Sequence, residues 1–206
     1  MTTRVVVPFA AETPKTRLSS VLDPPERRAF ARTMLEDVLS TLQELPTDPE
    51  LLATAAVETD VPVTVDDRSL TEAVNGILAE AEVPVAVVMA DLALATPASI
   101  ERLLDGGEDV VIAPGRGGGT NALVVRDPSF RVDYHGVSYL DHRSAALETD
   151  ATIRTVDSHR LATDVDEPAD LAELLIHGDG RAREWLHDRG FELAIQDGRV
   201  GIERRP

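Results

Sequence analysis

The run Val83-Pro84-Val85-Ala86-Val87-Val88-Met89 is apolar at successive positions, so a strand formed there has to be covered on both faces. It sits between two segments of helical spacing, residues 70–81 and a stretch that Thr96-Pro97 opens and Leu104 ends. The same alternation runs along the chain. Residues 4–9 form a β-branched strand. Asp23 then precedes Pro24 and Pro25 with Glu26 three positions on, an acidic cap with proline in the first turn. Phe30, Met34, Val38, Leu42 and Leu45 follow at helical spacing, which predicts a long amphipathic helix. Residues 51–57, 61–65, 110–113, 121–125 and 152–156 read as further strands, and 138–147 as a helix. Glu167-Pro168 opens another helix through Ile176. Trp185 lies in a helical tail segment, where it is expected to anchor the tail by packing, and two short strand-like pieces surround Gly198. Strands alternating with helices imply an α/β fold with a largely parallel sheet, whose ligands bind beyond the carboxyl ends of the strands. The 206 residues are expected to form one domain, 1–206, with 179–206 a C-terminal extension packed on it.

Composition narrows the chemistry. There is no cysteine, which excludes disulfides, thiolate catalysis and cysteine-ligated metals. The formal charge of −17 argues against a nucleic-acid or anionic-membrane partner, since both need clustered cations. No run approaches the roughly 18–20 apolar residues that cross a bilayer, and no secretory leader is recognisable, so a cytoplasmic protein is expected. Acidic residues are dispersed, and Lys15 is the only lysine among twenty basic residues. That pattern suggests adaptation to a salty, halophilic cytoplasm, where screening suppresses self-repulsion; the plain alternative is an acidic protein from an arginine-rich genome. The five histidines have no paired i, i+4 spacing for a zinc helix and read as surface or structural residues. A Gly-x-Ser-x-Gly elbow is absent.

Four segments at predicted strand ends carry candidate chemistry. After the first strand, Lys15 offers a mobile ammonium to phosphate and Arg17 a bidentate fork, against the plain reading of solvated loop cations. Asp91, after the 83–89 strand, is placed to bind Mg2+, or else only to cap a helix. In Arg116-Gly117-Gly118-Gly119-Thr120-Asn121, glycines let backbone amides approach an anion, with Thr120 and Asn121 adding side-chain bonds; a flexible hairpin is the alternative. The run is neither a P-loop nor a dinucleotide fingerprint. In Asp164-Val165-Asp166, extended alternation points the two carboxylates the same way, and a divalent cation relieves their repulsion beside Asp91. Helix capping would account for Asp166 alone.

Val7-Pro8-Phe9 leading to Pro14-Lys15-Thr16-Arg17-Leu18-Ser19, Asp91-Leu92, the Gly117 to Leu123 run, and Asp164-Val165-Asp166 with Pro168 and Asp170-Leu171 occur in one order. Together they resemble the 2-phospho-L-lactate guanylyltransferase family of coenzyme F-420 biosynthesis, in the nucleotidyltransferase superfamily that includes molybdenum-cofactor guanylyltransferase. The resemblance implies a three-layer α/β/α, nucleotide-diphospho-sugar-transferase-like fold with a mostly parallel mixed sheet. It implies that GTP and 2-phospho-L-lactate condense to lactyl-2-diphospho-5'-guanosine and pyrophosphate, with Mg2+ as cofactor and a homodimer as the assembly. Asp91, Asp164 and Asp166 become the metal carboxylates, and Lys15, Arg17 and Asp91 the catalytic set. Pro8, Phe9, Lys15, Arg17, Asp67, Leu70, Thr71, Gly118 and Gly119 would bind the nucleotide, with Asp66 a weaker candidate. Thr120, Asn121, Gly136 and Ser138 would bind the acceptor. Ala10-Ala11-Glu12 replaces a superfamily Gly-Gly, Ala93 and Gly115 replace residues common in relatives, His135 stands where glycine is usual, and Thr71 where asparagine is. In-line displacement at phosphorus by an already ionised phosphate needs alignment and charge neutralisation but no general base, which agrees with the missing nucleophile constellation. Another phosphorylated acid such as phosphoenolpyruvate or 3-phosphoglycerate, a molybdopterin acceptor, or a non-catalytic nucleotide-binding regulatory module are the alternatives.

Overall fold

The structure is a computed structural model that describes residues 3–12, 14–196 and 198–205. The successive apolar positions of the β-branched runs form a seven-stranded sheet ordered β3-β2-β1-β4-β6-β5-β7. Its strands are β1 (Arg4–Phe9), β2 (Pro49–Ala53), β3 (Val63–Val65), β4 (Val85–Val88), β5 (Val110–Pro114), β6 (Thr120–Val125) and β7 (Ile153–Thr155). All neighbours are parallel except β6, which runs antiparallel to both β4 and β5. Burial on both faces follows from the pleat: Val5 and Val7 enter one core while Val6 enters the other, all with no exposed surface.

One face is covered by α1 (Pro24–Gln43), α3 (Pro97–Leu104) and the short α5 (His159–Ala162), through Leu35, Val38, Leu42, Ile100, Leu103 and Leu161. The other is covered by α2 (Leu70–Glu80) and α4 (Ser138–Glu148), through Val74, Ile77 and Ala146. The expected capping box at Asp23 forms, its carboxylate accepting from Glu26 N at 2.8 Å while the Glu26 carboxylate accepts from Asp23 N. A third cluster joins α1 to α6 (Pro168–His177), α7 (Arg181–Asp188) and the hairpin β8 (Phe191–Gln196) and β9 (Arg199–Arg204). Trp185 packs on Phe30 with ring centroids 5.1 Å apart, the packing anchor expected for the tail. No helix among the described residues is long and apolar enough to cross a membrane.

Three elements depart most from the sequence reading. The strand expected over 51–57 is Pro49–Ala53, because β1 stops opposite it, Phe9 pairing with Ala53. Beyond that point no ladder partner remains, although Val57 still packs on the core. The strand expected over 61–65 shrinks to an exposed edge of three residues. Helix α5 was not anticipated: four residues give too short a period, and only the Ser158 cap announces it.

Candidate active site

The carboxyl ends of β1 and β4 lie side by side, since Arg4 to Val6 pair in parallel with Val85 to Val87. The segments that leave these two ends, from Ala10 and from Met89, therefore start on the same edge. Between them and the start of α2 lies a cleft of about 280 Å³ lined by Pro8, Phe9, Lys15, Leu70, Met89 and Asp91, with Asp66 and Arg68 at the α2 side.

Lys15 is the pivot. Its backbone adopts the left-handed conformation (φ 57°, ψ 42°), which costs a side-chain-bearing residue about 1–2 kcal/mol and here turns the chain into the 3-10 turn over Thr16–Ser20. Leu18, fully buried, fixes that turn. The ammonium points back under the loop, with only 10% of the side chain exposed, donating to Asp91 Oδ2 at 2.5 Å and reaching Asp166 Oδ1 at 3.5 Å. Burial alone would lower its pKa. The charge and hydrogen bond of Asp91, reinforced by the charges of Asp166 and Asp164, outweigh burial and hold the ammonium above the ordinary lysine value. It is therefore a permanent cation at physiological pH.

The carboxylate segment is held to this centre by backbone. Val165 N donates to Asp91 O at 3.2 Å, and the Val165 side chain is buried in the third core cluster. Asp164 and Asp166 then flank a residue that points inward, which is the alternation expected of an extended segment. Asp166 receives Arg17 Nη1 at 2.6 Å, an ion pair whose arginine is 68% exposed and which adds little stability. Asp164 receives Asn121 Nδ2 at 3.0 Å. Thus Lys15, Arg17, Asp91, Asp164 and Asp166, from three separate loops, form one cluster. Within it Asp91 Oδ1 is buried with no hydrogen-bond partner, a costly state for a carboxylate oxygen and one that a hard cation relieves. Asp91 Oδ1 is thus an open donor of the kind Mg2+ takes, while the oxygens of Asp91, Asp164 and Asp166 are not gathered within 4.8 Å of one another and the Lys15 ammonium lies between Asp91 and Asp166.

The glycine segment is the hairpin between β5 and β6, closed by Gly115 N to Gly119 O at 2.8 Å and Gly118 N to Gly115 O at 3.0 Å. Gly118 needs its glycine, with φ of +85° and a hypothetical Cβ 2.9 Å from Val137. Gly119 and Gly136 face open space. The hydroxyls expected to meet an acceptor are turned inward instead. Thr120 and Ser138 are each 4% exposed: Ser138 Oγ accepts from Thr120 N at 2.9 Å, and Thr120 Oγ1 bonds His142 Nδ1 at 2.8 Å. His142 Nε2 accepts from Asp133 N, so Nδ1 carries the proton and donates to the threonine. Burial lowers the His142 pKa to about 4, keeping the ring neutral. These groups clamp α4 to β6.

Asn121, 5% exposed, is likewise committed, its Nδ2 shared between Leu161 O and Asp164. It positions a carboxylate and does not face an acceptor. Of the other residues expected to bind the nucleotide, Leu70 lines the cleft, Asp67 is exposed outside its lining, and Thr71 Oγ1 accepts from Tyr134 N at 2.9 Å, holding the 126–137 loop. Asp66 lines the cleft but is gripped by Arg68, through Nη2 to Oδ2 at 2.6 Å, which pulls its pKa down. Arg68 was missed; its position directly after a predicted strand was the available signal.

The family described as guanylyl transferase CofC like matches residues 3–204. The chain belongs to this family. Among curated relatives, the 2-phospho-L-lactate guanylyltransferase of Halomicrobium mukohataei is 61% identical over 201 residues, covering 98% of this chain and 99% of the relative. That of Haloferax volcanii is 60% identical over 202 residues, covering 98% of each. Among solved structures, a nucleotidyl transferase from Methanothermobacter thermautotrophicus superposes with TM-score 0.62 at 15% identity, over 91% of this chain and 99% of that one. A protein assigned to the nucleotide-diphospho-sugar transferases from Desulfovibrio desulfuricans G20 gives 0.77 at 16%, over 92% and 96%. The expected fold is the observed one: α/β, three layers, a mixed and mostly parallel sheet.

Proposed function

We propose that the chain transfers the guanylyl group of GTP to 2-phospho-L-lactate, giving lactyl-2-diphospho-5'-guanosine and pyrophosphate. Membership of the family and the name carried by relatives of about this length support the reaction. The observation that carries it is the buried Lys15 ammonium among Asp91, Asp164 and Asp166 at the mouth of an apolar cleft.

The apolar part of the cleft, Pro8, Phe9, Leu70 and Met89, would accommodate the flat base and ribose, with Lys15 in the lining and Arg17 beside it on Asp166 to meet the triphosphate. The acceptor phosphate is already an anion, so the site's task is to align two anions and cancel their repulsion. Lys15 does this as a fixed charge that needs no reorganisation. Asp91, Asp164 and Asp166 would hold Mg2+, which supplies charge neutralisation at the phosphates when bound. Asn121 keeps Asp164 from swinging away, and Gly119 and Gly136, where no side chain would crowd a ligand, are the backbone candidates to meet the acceptor. Assembly as a homodimer and life in concentrated salt belong to the same proposal; the first rests on the resemblance, the second on the charge of −17 and on relatives from halophiles.

The test is pyrophosphate release from GTP and Mg2+ with a panel of phosphorylated acids. Fastest release with 2-phospho-L-lactate is expected. Fastest release with phosphoenolpyruvate or 3-phosphoglycerate would move the acceptor, and no release with any acid would leave only a nucleotide binder.

A further inference from the structure

Away from the cleft, the fold gathers two histidines and a glutamate that the sequence holds apart. His159 opens α5, while Glu173 and His177 stand one turn apart on α6, so they share a helix face. His159 Nε2 lies 3.5 Å and His177 Nε2 3.6 Å from the same oxygen, Glu173 Oε2, and ligand atoms of all three fall within 4.8 Å of one another. With zinc–nitrogen and zinc–oxygen bonds of about 2.0–2.2 Å, a tetrahedral site has edges of about 3.3–3.6 Å. Both histidine–glutamate separations already have that length.

We propose that His159, Glu173 and His177 form a site for a borderline divalent transition cation, Zn2+ foremost, distinct from the hard-cation carboxylates around Asp91. Two imidazoles and one carboxylate suit such an ion better than Mg2+, and a chain without cysteine offers no softer set. The supporting shell is in place. Arg116 lies 3.8 Å from the second oxygen, Glu173 Oε1, which leaves Oε2 as a monodentate ligand. Arg160 Nη1 donates to His177 O at 2.6 Å, tying α5 to the end of α6. The side chains are 48%, 30% and 43% exposed, so the ion has free access and water can complete its shell. Because α5 and α6 bracket Asp164 and Asp166, the bound ion pins both ends of the segment that carries them.

Tag-free full-length protein, saturated with Mg2+ to occupy oxygen sites, is titrated calorimetrically with Zn2+. One Zn2+ per chain is expected, with binding weakened by at least about tenfold in His159→Ala and in His177→Ala and kept in Asp91→Asn. Glu173→Gln, which preserves side-chain shape, should weaken it too and decides the matter if a histidine variant melts early. Co2+ in place of Zn2+ should give visible absorption that vanishes with the same variants. Unchanged Zn2+ affinity in His159→Ala/His177→Ala, or loss of binding in Asp91→Asn, overturns the proposal.

Discussion

Lys15→Met isolates the charge at the centre of the site. Methionine has nearly the length of lysine, and the left-handed backbone at residue 15 is equally unfavourable for both, so strain cancels from the comparison. What is lost is an ammonium 2.5 Å from Asp91 and 3.5 Å from Asp166. At an effective dielectric of about 20 the closer contact alone is worth roughly 6–7 kcal/mol of gross attraction. Desolvation of the buried lysine opposes it, and breaking a fully buried pair typically costs about 3–5 kcal/mol. Asp91 and Asp166 are 24% and 28% exposed, so water takes over part of the debt and about 2–3 kcal/mol is expected. Asp91 is the residue that suffers, since its Oδ1 has no partner already. The assay is urea denaturation of both proteins, reading a lower midpoint at unchanged slope. Added Mg2+ should return part of the loss, because a divalent cation at the same carboxylates replaces the missing charge. The pair is buried, so the loss should persist in about 1 M KCl, where the screening length is about 3 Å. An unchanged midpoint, or a difference that salt erases, would refute the picture of a buried charge centre and return Lys15 to a surface pair.

Asn121→Ala leaves Leu161 O and Asp164 without their shared donor; a stability loss of about 1–3 kcal/mol in denaturant titration and a raised Mg2+ requirement for turnover are expected. Gly115→Ala should have the same signature from outside, because its Cβ would lie 2.4 Å from Asn121 Oδ1; normal kinetics in that variant would show that Asn121 moves aside without consequence. For His142 the folded pKa is about 4 against an ordinary 6.5, so the unfolded chain takes the proton first as pH falls. Stability is then full above the ordinary value and declines toward the folded one, by on the order of 3 kcal/mol if the whole shift is realised. Thermal melts of wild type should slope downward already between pH 6.5 and about 5, above most carboxylate titration, and His142→Gln should flatten that stretch. Melting temperature should also rise steeply from dilute buffer to molar KCl as screening relieves the charge of −17; equal values in both would end the halophilic reading.

The fold was legible because its signals are local and redundant. Continuous apolar runs, an acidic cap with prolines at Asp23 and the Thr96-Pro97 start each locate an element without knowledge of its neighbours. The charge centre was legible through the family resemblance, which grouped Lys15 with Asp91, and the structure supplies the reason: β1 and β4 are adjacent parallel strands, so the segments after them leave the same edge of the sheet. What the sequence could not display is which way a polar group points when two elements compete for it. Thr120 and Asn121 looked like ligand donors because they follow glycines at a strand end, and Ser138 because the family resemblance implied it. Yet β6 is antiparallel and central, flanked by β4 and β5, so its side chains fall into cores or bond the helices that cover it, and Ser138, at the start of α4, meets it from the helix side. Burial then turned three candidate ligands into a scaffold: two hold α4, and one holds the carboxylate of Asp164. The tightness of that scaffold explains Gly115, a position where any side chain would strike Asn121 although its backbone is ordinary. The glycine run thus divides by function along its length. Gly115 makes room for the residue that sets the carboxylate and Gly118 makes the turn, whereas a Cβ at Gly119 would meet nothing within 4 Å, so substitutions at the first two should lose Asp164 positioning and hairpin closure while Gly119→Ala should leave both intact.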